Sequence, residues 1–524
     1  MNKNNVYITT PIYYASGEVH IGNSYSTVVC DVFARYHRLK GDDTYYLTGM
    51  DEHGLKIEEA AKAQGIKPQE FVDKIAFKTS ELWKELKITN DDFIRTSQAR
   101  HTKVVQQIYE KLIKNGDIYL GEYEGDYCVS CETFYTKTQL GPDDTCPTCG
   151  KKTKVVKEES YFLKLGKYAD RLLEYIETHP TFIQPATRKN EVVAFIKSGL
   201  EDLCVSRTTI DWGIPILSNK KHVAYVWIDA LANYITALGY DTPDDALFQK
   251  YWMNGQVYHV VGKDILRFHA IYWPIMLMAL DIPINFELLT HGWILMKGTK
   301  MSKSKGNTIY PTDVSRNYGL DALRYYLIKE MPFGNDGLFT WELFFERFNS
   351  DLANDLGNLV SRTISMINKY FGGKVTKPDK NYFEEDKALE DLIDTTNKVY
   401  FDTFDNFQFK NGLTAVFDLI SKANKYIDLT EPWRLAKDLE KQNDLNDVLY
   451  HLYEVLRITS IMLDPVMDDT SKIIFNELGL MDTDIDFKLL KYGHTHQSQV
   501  IKEPIVLFQR IKIGEELEKI KKAK

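Results

Sequence analysis

Apolar positions along this chain fall into two rhythms. Val6 to Thr9 is a short apolar run of the kind a buried strand carries, and Thr44 to Thr48 is a second. Between them, Ser24 to Leu39 places apolar residues at 25, 28, 29, 32, 33, 36 and 39, which is helical spacing. Helical patterns follow at about 56–64, 68–87 and 99–115. Strand alternating with helix predicts a doubly wound α/β domain built on a parallel sheet. The rhythm breaks across 116–222 and resumes at His222–Ala230, which reads as a strand leading into a helix through Tyr234. Another strand, Gln256 to Val261, ends at Gly262-Lys263-Asp264 and precedes helical spacing from Phe268 to Leu280. From about residue 346 the patterns are mainly helical, at 346–370, 385–404, 409–428, 432–439 and 444–463. The expected fold is therefore a Rossmann-like sheet in two halves, 1–115 and 223–290, split by an insertion at 116–222. A linking region at 291–345, a helical bundle at 346–495 and a tail helix at 496–524 complete it.

Chemistry concentrates at the ends of these elements. The stretch Thr10-Pro11-Ile12-Tyr13-Tyr14-Ala15-Ser16-Gly17-Glu18-Val19-His20-Ile21-Gly22-Asn23 is a strand-to-helix turn, with His20 and Asn23 at the helix mouth. Backbone N–H groups and the dipole at such a mouth attract phosphate. Taken alone, an ordinary capped turn explains it as well. A second stretch, Gly298-Thr299-Lys300-Met301-Ser302-Lys303-Ser304-Lys305-Gly306-Asn307, carries lysines and serines and no acid, which suits a polyphosphate. Ligands of doubly wound sheets bind beyond the carboxyl ends of the strands, and Tyr14 and Asp51 both lie just past strand ends, so they should face one crevice.

Composition narrows the class. A net charge of −9 argues against an indiscriminate nucleic-acid binder, although a local basic face is sufficient for phosphate contacts. The N-terminus has no apolar segment of the signal-peptide kind. The longest apolar run, Ile271 to Leu280, is too short to span a bilayer, so no membrane partner and a cytoplasmic location are expected. Cys30 and Cys204 stand alone, whereas Cys128/Cys131 and Cys146/Cys149 form two C-x-x-C pairs. Two such knuckles close one tetrahedral Zn2+ site, and four thiolates leave no position open for a reacting water, so the metal is structural.

The two phosphate-binding stretches together resemble the paired signatures of class I aminoacyl-tRNA synthetases. Further motifs extend the likeness along nearly the whole chain: Pro11-Ile12-Tyr13-Tyr14, Gly49-Met50-Asp51-Glu52-His53-Gly54, Tyr225-Val226-Trp227-Ile228-Asp229-Ala230, Gly262-Lys263-Asp264, Phe268-His269, Asn358/Arg362 and Pro432-Trp433. These resemble the methionyl-tRNA synthetases of the bacterial type more than the leucyl, isoleucyl, valyl or cysteinyl families. The insertion is also too small for the editing domain implied by the aliphatic-specific families.

That resemblance implies a ligase that activates L-methionine with ATP and Mg2+, then transfers it to initiator and elongator tRNA(Met). It implies His20, Asn23, Lys300 and Lys303 as catalytic donors, with Gly22, Gly262, Asp264 and Ser302 completing the ATP site. Methionine would lie among Ile12, Tyr14, Trp227, Ala230, Leu231, Tyr234, Phe268 and His269, its ammonium on Asp51. The region around residue 300 would contact the tRNA stem. Asn358, Arg362, Pro432 and Trp433 would read the anticodon by stacking and base-edge hydrogen bonds. For Trp433 the competing expectation is plain core packing. The chain ends soon after the helical region, so a monomer is expected. One residue departs from the family signature: Asn23 stands where histidine is usual, and an amide cannot become cationic. Two rival readings are a class I synthetase for another amino acid, which the residues around Tyr14 and Trp227 would distinguish, and a non-catalytic RNA-binding protein on the same scaffold. The second would be marked by loss of Asp51 or the lysine loop, and both are present.

Overall fold

The structure, a computed structural model, describes residues 3–128, 133–135, 137, 140–147, 149–296, 299–301, 308–379, 383–500 and 505–523. It divides into two compact units, Met1–Val19 with Asp42–His291, and His20–Gly41 with Gly292–Lys524.

The first unit is built on a seven-stranded sheet. Its order runs Tyr13–Tyr14, Asp43–Asp51, Asn5–Thr9, Gln256–Gly262, Phe286–His291, Ile183–Gln184, with Asp92–Arg95 also paired to Asp43–Asp51. Every pairing is parallel. Parallel strands are covered on both faces, which is why Val6, Tyr7, Ile8 and Thr9 are all buried without alternation. Gly49 sits where a Cβ would lie 2.1 Å from the Ile94 carbonyl oxygen, so the strand Asp43–Asp51 can approach Asp92–Arg95 at that point only through glycine.

One expected strand is corrected. Val223–Ala224 pairs antiparallel with Ser206–Arg207 and does not enter the central sheet; the helix Val226–Thr236 begins almost at once. Ile228, Leu231, Ala232, Tyr234 and Ile235 of that helix are all buried, and an element buried on every side carries the unbroken apolar run that a strand would also show. Two strands that the pattern did not single out, Asp92–Arg95 and Phe286–His291, complete the sheet.

The insertion is an antiparallel sheet ordered Thr133–Tyr135, Ile118–Cys128, Lys154–Leu163, Leu203–Cys204. Its long central hairpin is in register from Ile118↔Leu163 to Tyr127↔Lys154 and carries Cys128 at its tip. The segment is not self-contained, because Ile183–Gln184 adds an edge strand to the parallel sheet.

In the second unit the helix Ile21–Lys40 is tied to the helix Leu320–Glu330 by a buried charge network. Asp31 accepts from Arg324 at 2.7 Å and from Arg35 at 2.8 Å. The helix Gln442–Leu463 forms the axis of the helical domain, buried at every position from Asp447 onward and packed by Asn358–Phe371, Glu384–Asp405 and Phe409–Thr430. A three-stranded sheet places Ile294–Met296 between Thr299–Lys300 and Gly337–Leu338. Among the described residues no helix is long and apolar enough to cross a membrane.

Candidate active site

In the first unit the strand ends converge as the sequence pattern predicts. Tyr14 pairs with Asp51 across the parallel register, and the Ala15 N–H donates to the Asp51 carbonyl at 2.9 Å. The Asp51 side chain lies at the carboxyl end of its strand and is 7% exposed, a buried carboxylate of the kind that must meet a positive charge or hydrogen-bond donors. Tyr14 is half-buried, with Lys56 Nζ 5.4 Å from its ring centre.

The helix Val226–Thr236 and the segment from Phe268 supply an aromatic wall. Trp227 and Phe268 stack face to face, ring centres 3.5 Å apart and planes 5° from parallel, and both remain half-buried. Ala230, Leu231 and Tyr234 are buried behind them, and Ile12 packs on the same apolar core. Phe268–Tyr272 is a π-helical turn before the helix Trp273–Ala279, a local widening common at functional sites.

His269 is engaged at both ring nitrogens. Nδ1 lies 2.9 Å from the Ile265 carbonyl oxygen and Nε2 lies 2.7 Å from the Tyr234 hydroxyl. Burial pushes its pKa down to about 4, so the ring is neutral near pH 7. A neutral ring that donates from Nδ1 to a carbonyl must accept at Nε2, which assigns the Tyr234 O–H as donor. The His269–Tyr234 pair is thus uncharged and hydrogen-bonded within itself.

Gly262 ends its strand buried, where a Cβ would meet Asp264 Oδ1 at 2.6 Å; the Asp264 side chain itself is exposed. A side chain at position 262 would displace that carboxylate from its place against the backbone.

In the second unit His20 is the N-cap of the helix Ile21–Lys40. Its ring folds back over Gly22, where a Cβ would meet ring atoms at 3.0 and 3.1 Å. Asn23 occupies the third helical position and is exposed, with Oδ1 3.5 Å from the His20 backbone N–H. The departure from histidine thus substitutes a side chain that reaches back toward the cap. The strand Thr299–Lys300 pairs with Ile294–Met296, so Lys300 enters through its backbone register with Leu295. Ser302 and Lys303 lie outside the described residues.

Three cysteine side chains gather at the insertion tip. Cys128, Cys146 and Cys149 have Sγ atoms within 4.8 Å of one another, and Cys128 and Cys149 are 3.5 Å apart. Tetrahedral zinc–thiolate bonds of about 2.3 Å set sulfurs about 3.8 Å apart, so the donor set and spacing fit that metal. Gly150 supports the turn with φ of +73°, donating its N–H to the Cys146 carbonyl. Cys131 lies outside the described residues.

In the helical domain Trp433 is 40% exposed while Pro432 is buried, so the tryptophan is not a core residue. Asn358 and Arg362 share the helix Asn358–Phe371, with Asn358 exposed and Arg362 paired to Asp428 at 2.8 Å.

Sequence reasoning missed a buried network beside the aromatic wall. Asp229 Oδ2 lies 2.7 Å from His53 Nδ1, and Oδ1 lies 2.7 Å from His101 Nε2. Burial raises the Asp229 pKa, but the two imidazoles outweigh it and hold the carboxyl below its ordinary value. Glu52 is clasped by Arg95 at 2.7 Å and by the Ser97 hydroxyl, but there burial prevails and raises the carboxyl pKa. His53 and Asp229 both stand inside recognised motifs, but nothing in the sequence pairs residues so far apart.

A split parallel sheet, a knuckle of clustered cysteines and a helix-mouth signature are the marks of one class, the class I aminoacyl-tRNA synthetases. The family profile described as tRNA synthetases class I (M) matches residues 6–154 and 142–364. The methionine–tRNA ligase of Bacillus subtilis (strain 168) is 52% identical over 99% of this chain and 80% of its own length. That of Listeria monocytogenes serotype 4b is 53% identical over 97% of this chain and 78% of its own. Methionyl-tRNA synthetase of Mycobacterium tuberculosis bound by methionyl-adenylate superposes with a TM-score of 0.92 at 36% identity, covering 96% of this chain and all of that one. The chain belongs to the methionyl-tRNA synthetase family.

Proposed function

We infer that the chain is a methionine–tRNA ligase, activating L-methionine with ATP and transferring it to the terminal adenosine of tRNA(Met). The observation that carries this reading is one sheet end offering both a buried carboxylate, Asp51, and an uncharged aromatic wall, Trp227 with Phe268. An amino acid with a free ammonium and a long, polarisable, apolar side chain matches that pair. Neutral His269, turned inward to Tyr234 and Ile265, leaves no charge to reward a polar side chain.

In the first step the methionine carboxylate attacks the α-phosphorus of ATP, forming methionyl-adenylate and releasing pyrophosphate. A carboxylate needs no general base, so the protein's contribution is positioning and stabilisation of phosphate charge. His20, Gly22 and Asn23 at the helix mouth, with Lys300, Ser302 and Lys303, are the groups proposed for the triphosphate. Gly262 and Asp264 are proposed for the adenosine. Mg2+, carried by ATP, supplies neutralisation of the triphosphate. Adenylate then reacts with a tRNA ribose hydroxyl and AMP leaves. Cys128, Cys146 and Cys149, with Cys131, would hold one Zn2+ as a structural cross-link.

For tRNA selection we propose that exposed Trp433 stacks on an anticodon base while Asn358 and Arg362 meet base edges. Stacking on such a ring contributes about 1–3 kcal/mol per base. Replacing Trp433 with Ala should therefore lower kcat/KM for tRNA charging by roughly tenfold or more while leaving methionine-dependent pyrophosphate exchange intact. Equal loss of both activities would return Trp433 to a structural role.

A further inference from the structure

Asp229 belongs to none of the groups assigned above to methionine, ATP or tRNA, yet it is fully buried and both carboxylate oxygens are used. Its two partners come from different elements. His53 stands two residues past Asp51, in the turn between the strand Asp43–Asp51 and the helix Leu55–Ala63. His101 lies in the helix Ala99–Lys114, and its Nδ1 is 2.7 Å from Thr236 Oγ1, back on the helix that carries Asp229. Asp229 itself sits on the helix Val226–Thr236, between Trp227 and Ala230.

We propose that Asp229 is a positioning residue for methionine: through His53 it fixes the turn bearing the ammonium-binding Asp51 against the helix bearing the side-chain wall. This rests on the assignment of Asp51 and Trp227 to methionine. Two charge-assisted hydrogen bonds among buried groups hold the two ends of the substrate site at one spacing. His101, braced by Thr236, keeps the carboxylate from rotating away from His53. The His53 ring also lies 5.3 Å from Trp212, whose Nε1 donates to the Glu52 carbonyl at 2.5 Å, so the turn is gripped from its outer side as well. Asp229 need not touch methionine; its effect is on how well the ammonium and thioether subsites fit one ligand. A mismatch of that spacing weakens methionine binding and leaves ATP binding alone.

The test is ATP–pyrophosphate exchange by Asp229→Asn, His53→Ala and His53→Asn, with melting temperatures measured alongside. Asparagine at 53 keeps a donor near the position of Nδ1, so His53→Asn is the conservative rescue. Expected are a KM for methionine raised about tenfold or more in Asp229→Asn and His53→Ala, an unchanged KM for ATP, and recovery of most of the loss in His53→Asn. An unchanged KM for methionine in the folded variants overturns the proposal. So does a parallel rise in both KM values, or His53→Asn behaving as His53→Ala. Should Asp229→Asn not fold, the two His53 variants decide. Absence of methionine-dependent exchange in the unaltered protein would instead overturn the ligase reading.

Discussion

At the scale of single residues, the helix mouth is closely packed. His20 folds over Gly22 so closely that an added methyl would press on its ring at 3.0 Å. Gly22→Ala should push the imidazole out of place and lower pyrophosphate exchange by on the order of tenfold to hundredfold, the usual effect of a small misplacement in a positioned site. Helix content should be unchanged. Asp51→Asn removes a buried charge without changing shape. A charge-assisted hydrogen bond contributes about 1.5–3 kcal/mol, so the KM for methionine should rise roughly tenfold to hundredfold while that for ATP stays put. The place of these residues at strand and helix ends was legible, because spacing along the chain carries that information. The Asp229 network was not, since its hydrogen bonds join residues 176 and 128 positions apart, and only the folded sheet brings them together. The engagement of His269 with Tyr234 was likewise invisible; the sequence offered a polar handle, whereas burial makes the ring neutral and the two groups satisfy each other.

At the scale of elements, legibility followed amphipathicity. The helices Leu55–Ala63, Pro68–Glu85 and Ala99–Lys114 present one apolar face and were predicted nearly to their ends. The buried helix Val226–Thr236 was assigned its start as a strand, because its apolar run has no polar face to set a period. The insertion was recognised by its cysteines, whose two close spacings are a metal signature independent of secondary structure. Cys146→Ser should abolish stoichiometric zinc, read with a chromophoric chelator after unfolding, and should lower the melting temperature. Retention of a full equivalent of zinc would exclude that thiolate as a ligand. The central helix Gln442–Leu463 carries a titratable element of its own. Burial lowers the pKa of His451, but hydrogen bonds to Asp447 and Glu390 prevail and push it up to about 10. A base raised in the folded state stabilises fully below its unfolded value of about 6.5, and that stabilisation is lost as pH rises through about 10. The denaturant midpoint of His451→Gln should therefore fall less between about pH 7 and about pH 9 than that of the unaltered chain. Equal slopes would contradict the assignment.

For the whole molecule, the split sheet explains how one chain offers chemistry and recognition from separate elements. The groups proposed for catalysis sit at strand and helix ends, where irregular backbone can present N–H groups and carboxylates to a ligand. The proposed anticodon residues sit on helices of a domain whose axis, Gln442–Leu463, is buried at every position from Asp447 onward. Trp433 stands out on that surface because a large aromatic is ordinarily covered, and its exposure is what favours stacking over packing. The central claim is specificity for methionine, and amino-acid-dependent ATP–pyrophosphate exchange without tRNA tests it most directly. Each of the standard amino acids is offered in turn to folded, zinc-loaded protein. The account predicts exchange with methionine and none above background with the others. Exchange driven by a different amino acid, or by none, would contradict it.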